Sequence, residues 1–474
     1  MGFDAIIGLE LHIQMNTNSK MFSSAPVSFA ATPNTMVSST DVGFPGTMPT
    51  VNKQAVINAI RVAHALNIKI DDVVMFERKN YIYSDLPKEY QLTQQFRPLG
   101  IDGYLSINTS AGNRRIKIER LHLEEDTIKQ VHFSDYTLLD FNRAGIPLIE
   151  VVTKPDIRNG IEAAKFVEKI RSIVSFLNVS NGKMEEGSLR CDVNVSLKEK
   201  GSNKLGTKVE IKNLNSINNI QKAIDYEIIR QSNLLDSGIA IKQETRRFDE
   251  SKKETVSMRV KTDGVDYKFF TDPNIVPIKL SKAFIKDAIK TSPALPKDKL
   301  ARYKSLGLNE YDSLLLLADK DISEYFDEAC KSGVSPKLLA NWIVRDVQAI
   351  LNRDKISIKS FKIGPSLLAE LVQLIEQGKV SNKQAAEIFA RIVKDPTSPK
   401  IILEELGTSV ISDEEALREI VKLVIDDNKQ SVIDYKNGKD RALSYIVGQV
   451  MKKTQGKANP GLTNKLVLEE IKRR

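Results

Sequence analysis

Ile7-Gly8-Leu9-Glu10-Leu11-His12-Ile13 is the stretch on which the rest of the chain is read. Side chains alternate along a strand. One face here carries Ile7, Leu9, Leu11 and Ile13, and the other carries Gly8, Glu10 and His12. A carboxylate and an imidazole two residues apart on one face can share a cation. The ordinary alternative is a solvated polar face on an antiparallel sheet.

The pattern recurs. Arg190 to Leu197 alternates an apolar face (Cys191, Val193, Val195, Leu197) with a polar one (Arg190, Asp192, Asn194, Ser196). In Thr207 to Lys212, Val209 and Ile211 oppose Lys208, Glu210 and Lys212. Asp and Asn are poor strand formers, so Asp192 and Asn194 inside a strand point towards a functional face. Leu121 to Asp126 ends in three acids, Glu124, Glu125 and Asp126. Glu150 interrupts the aliphatic run Ile146 to Val152, where an acid calls for an ion pair or a metal. Glu185 and Glu186 read as a solvated loop. Cys191 falls on an apolar face and reads as core, and His64 sits in the apolar helical stretch Ala55 to Leu66.

Composition narrows the chemistry. The chain has 474 residues, of which 41% are hydrophobic and 28% charged, enough for several packed domains. Two cysteines, Cys191 and Cys330, and four histidines exclude a disulfide framework and a His-rich metal centre. Any metal must lean on carboxylates, which points to Mg²⁺, Mn²⁺ or Ca²⁺. There is no P-loop, no Gly-x-Gly-x-x-Gly and no Ser/His/Asp or Cys/His nucleophile set. No apolar run is long enough to span a bilayer and no signal-peptide layout opens the chain, so a cytoplasmic protein without membrane attachment is expected. The net charge of +9 is a mild bias, but it is unevenly spread. Residues 404–435 hold nine acids and three bases, whereas residues 436–474 hold ten bases and three acids.

The character of the chain changes near residue 295. Strand alternation and turns such as Asp102-Gly103 and Asn181-Gly182 come before it. After it come helix signals: Ser335-Pro336 as a cap, Pro365 to Gln377 stopped by Gly378, and Ser412 with Glu415 as a capping box. The expected fold is α+β. A mainly antiparallel sheet domain spans 1–293, an all-α helical domain 294–405, and a small basic helical tail domain 406–474.

Several long stretches also resemble a known family. They include residues 6–22 (IIGLELHIQMNTNSKMF), 76–94 (FERKNYIYSDLPKEYQLTQ), 120–126 (RLHLEED), 140–157 (DFNRAGIPLIEVVTKPDI), 183–197 (KMEEGSLRCDVNVSL) and 206–216 (GTKVEIKNLNS). QETRRFD at 243–249, DYKFFTDPNIVP at 266–277 and VGQVMKKTQGKANPGL at 447–462 extend the match over essentially the whole length. Together they resemble the B-subunit family of glutamine-dependent aspartyl/glutamyl-tRNA amidotransferases.

The resemblance implies a cradle domain, a helical domain and a tail domain. It implies ATP- and Mg²⁺-dependent activation of the side-chain carboxylate of Glu on tRNA(Gln) or Asp on tRNA(Asn). The amidase (glutaminase) partner of such a complex would supply ammonia from glutamine, and a small third partner would complete a heterotrimer. Glu10, His12, Glu124, Glu125 and Glu150 are then the expected metal ligands. Lys79, Tyr81, Lys88, Ser188, Arg190 and Lys208 are expected around ATP. Glu10, Glu125, Asp192 and Glu210 are expected catalytic groups, with Asp192 and Glu210 holding a second cation or orienting ammonia. Lys452, Lys453, Lys457 and Lys465 are the expected tRNA contacts.

The family's four-cysteine zinc positions are Ser23, Ala25, Ser38 and Asp41 here, so no structural zinc is expected and packing alone would hold the loop from Phe22 to Pro45. Ser84 and Glu89 are smaller departures, Glu89 standing where a small residue is usual. The competing readings are a non-catalytic tRNA-binding scaffold, against which the polar strand faces and Glu150 argue, and a metal-dependent ligase of small molecules, against which the basic tail argues.

Overall fold

The computed structural model describes residues 2–28, 31–110, 112–260, 266–406, 414–454, 458 and 460–473. The chain divides into two compact units, Met1–Pro296 and Lys297–Arg474. All described strands lie in the first, and the second is helical. The division falls at residue 296, where the sequence reading draws it at 293. Residues 407–413, just past the expected start of the tail domain at 406 and including the Ser412 cap, lie outside the described residues.

The strand Phe3–Gln14 lies inside a nine-stranded sheet. On one side it pairs with Leu189–Glu199, and beyond that come Val209–Lys212, Glu244–Asp249 and Glu254–Val260. On the other side come Pro147–Thr153, Gly112–Glu125, Gly100–Thr109 and Lys69–Ile70. Every pairing is antiparallel except that between Val209–Lys212 and Glu244–Asp249. The register sets His12 opposite Glu150 on one neighbour and opposite Arg190 on the other. Glu150 in turn faces His122, and Glu10 faces Asp192. The three alternating stretches read from sequence are therefore consecutive strands, and their polar faces join.

The opposite face is closed by helices Lys53–Ala65, Gly160–Phe176 and Ile217–Asp236. Asn52, Asn159 and Ser216 cap them, each side chain accepting a bond from a backbone N–H in the first turn. Ile7, Leu9, Leu11 and Ile13 are almost wholly buried in this core, together with Val193, Val195, Ile149 and Val151. Burial of each such aliphatic side chain stabilises by about 1.5–3 kcal/mol. Cys191 belongs to this core, and burial pushes its thiol well above the ordinary range.

Around Ser23, Ser38 and Asp41 the loop is not held by packing alone, in contrast to the sequence reading. Ser23 Oγ donates to Asp41 Oδ1 at 2.7 Å, and Ser38 N donates to Asp41 Oδ2 at 2.8 Å. The fully buried Lys20 donates to Asp41 Oδ2 at 3.1 Å and to the Phe141 carbonyl at 3.2 Å. Gly145 closes the neighbouring turn at φ +81°, and a Cβ there would meet Asp41 Oδ1 at 3.0 Å. Glu89 has φ +61°, a left-handed conformation that glycine adopts with less strain.

In the second unit, Ser335 caps Pro336–Trp342 as its sequence predicts, and Pro365–Glu376 ends just before Gly378 at φ +65°. The helices Glu414–Asp427, Lys429–Lys436, Asp440–Lys453 and Pro460–Arg473 enclose a core that includes Leu417, Val421, Ile446, Val450 and Leu466. Among the described residues no helix is long and apolar enough to cross a membrane.

Candidate functional site

Four side chains from three adjacent strands converge on the polar face of the sheet. His12 Nε2 lies 3.6 Å from Glu124 Oε1 and 3.4 Å from Glu150 Oε2. His122 Nε2 lies 3.7 Å from Glu124 Oε2 and 3.2 Å from Glu150 Oε2. One ligand atom from each of His12, Glu124 and Glu150 falls within a 4.8 Å set. Two hard carboxylates and one imidazole fit a divalent cation that keeps several waters, Mg²⁺ or Mn²⁺ in preference to a thiolate-seeking metal.

The electrostatics follow from crowding. Desolvation pulls the His12 imidazole down, but Glu150 and Glu124 outweigh it and raise it. Burial likewise opposes protonation of His122, yet Glu150 and Glu124 lift it to about 9. Burial alone would keep Glu150 protonated, and the two imidazoles instead hold its carboxyl well below the usual range. Glu10 is raised, first by burial and then by Glu150, while its bond from Asn194 Nδ2 at 2.9 Å opposes the rise.

A second polar group adjoins the first through Glu10. Lys212 Nζ lies 2.8 Å from Asp192 Oδ2 and 3.4 Å from Glu210 Oε1, and Thr245 Oγ1 donates to Glu210 Oε2 at 2.8 Å. Burial would lower the Lys212 ammonium, but Asp192 and Glu210 raise it above its ordinary value. Arg190 pairs with Asp126 at 3.0 Å, and Gln14 Nε2 donates to the same carboxylate at 2.6 Å. Burial works against ionisation of Asp126, yet Arg190 and Arg143 hold its carboxyl below the usual range. A cleft of about 630 Å³ opens over these groups, lined among others by His12, Glu124, Arg190, Asp192, Lys79 and Tyr81.

Not every expected residue reaches this cleft. Glu125 is one step out of phase with Glu124, so it leaves the cluster. Both its carboxylate oxygens accept from Lys88 Nζ, at 2.5 and 2.7 Å, and Oε1 also accepts from Leu92 N. Lys88 is thereby committed to Glu125. Lys208 is exposed just before its strand, and Lys212 occupies the position in the cleft. Ser188 is buried, its Oγ without a hydrogen-bond partner among the described residues. His122 is the functional candidate that sequence reasoning passed over. Its signal was present: it shares the parity of Glu124 in Gly112–Glu125.

The chain also matches known proteins. Residues 5–286 match the family described as the GatB/GatE catalytic domain, and residues 324–471 match the GatB domain. The chain belongs to the B-subunit family of aspartyl/glutamyl-tRNA(Asn/Gln) amidotransferases. It is 45% identical, over the full length of both chains, to the B-subunit protein of Bacillus thuringiensis (strain Al Hakam). The B-subunit protein of Bacillus cereus (strain Q1) is 46% identical, again over 100% of each chain. The converging acids and imidazoles of this family member all lie within the catalytic-domain match.

The paired imidazoles give a pH dependence with a definite sign. In metal-free protein the His122 pKa is above its unfolded value near 6.5. Its contribution to stability is therefore complete below about pH 6.5 and is lost as pH rises through about 9. Histidine NMR on metal-free protein should show one imidazole titrating near 9, and Glu150→Gln should move it markedly downward. An unshifted His122 titration in that variant would contradict the assignment.

Proposed function

We propose that this chain uses ATP to phosphorylate the side-chain carboxylate of Glu-tRNA(Gln), Asp-tRNA(Asn) or both. It then passes the activated acyl group to ammonia. The observation that carries this reading is the convergence of His12, Glu124 and Glu150 beside a cleft that His12 and Glu124 line together with Arg190 and Lys79. A carboxylate cannot expel oxide, so activation must come first. The γ-phosphoryl group moves to a carboxylate oxygen and ADP leaves. Ammonia then attacks the acyl carbon and phosphate leaves. Two anions must meet in the first step, and positioned positive charge offsets their repulsion.

Arg190, oriented by Asp126, and Lys79 supply fixed positive charge at the cleft. His12, Glu124 and Glu150 would hold Mg²⁺, with Glu10 beside them. Bound there, the ion would neutralise phosphate charge. Asp192, Glu210 and Lys212 offer a polar second group that suits a further cation or an approaching ammonia molecule. Tyr81 at the rim suits contact with the nucleotide. Glu125 and Lys88 are left out of the phosphoryl site because they neutralise each other. Ammonia would come from the amidase partner, with a small third partner completing a heterotrimer. The work of translation places the assembly in the cytoplasm.

We assign residues 1–293 to catalysis, 294–405 to a helical body and 406–474 to tRNA binding. In the tail Lys452 is exposed, Lys453 pairs with Asp427 at 3.1 Å and Lys465 lies 3.9 Å from Glu469. Lys457 lies outside the described residues. These exposed pairs are weak enough to exchange for phosphate. The Lys20–Asp41–Ser23–Ser38 network supports the reading that this chain uses no zinc.

Three measurements test these assignments. Glu10→Gln, Glu124→Gln and Glu150→Gln should each cut ADP release that depends on misacylated tRNA by about a hundredfold or more, within the range for a lost charge-stabilising group. Their circular dichroism should stay native. Normal acyl-phosphate formation in all three would sink the site, and ADP release from the wild type without tRNA would favour a small-molecule ligase. Deleting residues 409–474 should weaken tRNA binding and flatten its salt dependence; unchanged affinity at physiological salt would assign the tail elsewhere. Asp41→Ala leaves the Lys20 ammonium buried without its counter-charge, a cost of about 3–5 kcal/mol. Its melting temperature should fall, whereas a zinc chelator should leave the wild type unmoved.

A further inference from the structure

The large cleft continues outward along a row of aromatic rings, of which the activation chemistry uses only Tyr81 at the rim. Tyr81 lines the cleft itself. Its ring packs edge-to-face on Tyr267 at 5.7 Å, Tyr267 on Phe269 at 5.9 Å, and Phe269 on Phe96 at 6.2 Å. The row is not a closed core, for Phe96 is 63% exposed at its outer end and the other three rings are only half-buried. It is nevertheless fixed in place. Asn80 N donates to the Tyr267 carbonyl at 2.9 Å, and Asn80 Nδ2 donates to the Lys268 carbonyl at 2.7 Å. The strand Glu77–Asn80 pairs with Phe270–Thr271 on one side and Tyr90–Thr93 on the other.

Positive charge accompanies the rings. The Lys79 ammonium sits 5.0 Å from the Tyr267 centroid and 5.7 Å from that of Tyr81. It has no carboxylate partner among the described residues. Arg78 behaves differently: its guanidinium lies over Tyr90 and is tied to Asp272 at 2.6 Å. Lys79 is thus the cation held at the row and available to an incoming anion.

We propose that Tyr267, Phe269 and Phe96, leading out from Tyr81 at the rim, form a stacking platform for the unpaired 3′ nucleotides of tRNA, with Lys79, where the row meets the cleft, against the phosphate nearest the activation site. This rests on the reading that the substrate is an aminoacyl group on tRNA. For its carboxylate to reach Glu124 and Glu150 while the paired stem stays outside, the strand crossing the rim must be single. Single-stranded nucleic acid offers successive aromatic faces on a charged backbone, and proteins hold it with aromatic rings and interleaved cations. One adenine of ATP needs one ring. A row of four rings leading away from the cleft suits several bases in succession.

The test uses the complete complex with its partner subunits and two RNAs: the cognate tRNA, and the same tRNA trimmed of its unpaired 3′ nucleotides. Binding is measured at one fixed salt concentration. The wild type should prefer the intact tRNA. Phe96→Ala and Tyr267→Leu should each weaken intact-tRNA binding by roughly tenfold, as expected for a lost base–ring stack. Neither should alter binding of the trimmed tRNA. Phe96 is exposed enough that its variant keeps the fold, which guards against a trivial loss. Equal weakening towards both RNAs would overturn the platform, as would a raised KM for ATP at unchanged intact-tRNA affinity. Loss of the partner subunits from the variants with tRNA affinity unmoved would also overturn it, by making the row a protein contact. Should the wild type release no ADP in response to misacylated tRNA, the activation reading fails, and the contrast between the two RNAs still reports on the platform.

Discussion

The strand Phe3–Gln14 has to serve two solvents at once. Ile7, Leu9, Leu11 and Ile13 are anchored in a dry core, and that anchoring alone determines where Glu10 and His12 go. A slip of one residue in its register would exchange the two faces. The hydrophobic effect, which is indifferent to chemistry, therefore positions groups whose use depends on fractions of an ångström. Burying the aliphatic face also lets the opposite face carry charges that would otherwise oppose folding.

Most of those charges are answered by an opposite charge nearby, and Glu10, which faces Asp192, is the exception. Arg190, His12, Glu150 and His122 stand in one cross-strand row, and Glu10 and Asp192 stand in the next. Asp126 is answered by Arg190, and Asp192 and Glu210 by Lys212. Half-buried acids at this density oppose one another's ionisation, as the raised Glu10 carboxyl shows. The aromatic row beyond the cleft differs in kind: Lys79 there faces rings and not carboxylates.

The alternation of residues 7–13, 190–197 and 207–212 was legible because strand parity is written directly in sequence. That these strands adjoin was not, since register depends on long-range pairing. The same limit explains why some single residues part from the cluster. A run of three acids, Glu124 to Asp126, invites treating them alike, yet parity sends Glu125 to Lys88 and leaves Glu124 with the histidines. Applied strictly, parity would have selected His122 as well. Lys208 and Lys212 share a face, and only the strand's limits show that Lys212 stands beside Asp192. At Asp41, the loss of thiolates was read as the loss of a cross-link. Lys20 comes from another part of the chain, so the replacement bonds were invisible until the loop was folded.

The two carboxylates at the centre admit two kinds of balance. Glu124 and Glu150 can be countered by protons on His12 and His122, or by one divalent positive charge. Ligand sites that must shed protons bind metal more tightly as pH rises. With the His122 imidazole raised to about 9, Glu150 and Glu124 keep a counter-charge through neutral pH. Carboxylates without such partners would be driven to protonate or to pull the strands apart. The histidines thus hold the buried Glu150 carboxyl well below the usual range while it stands close to Glu124, which is the condition for using the pair in phosphoryl chemistry.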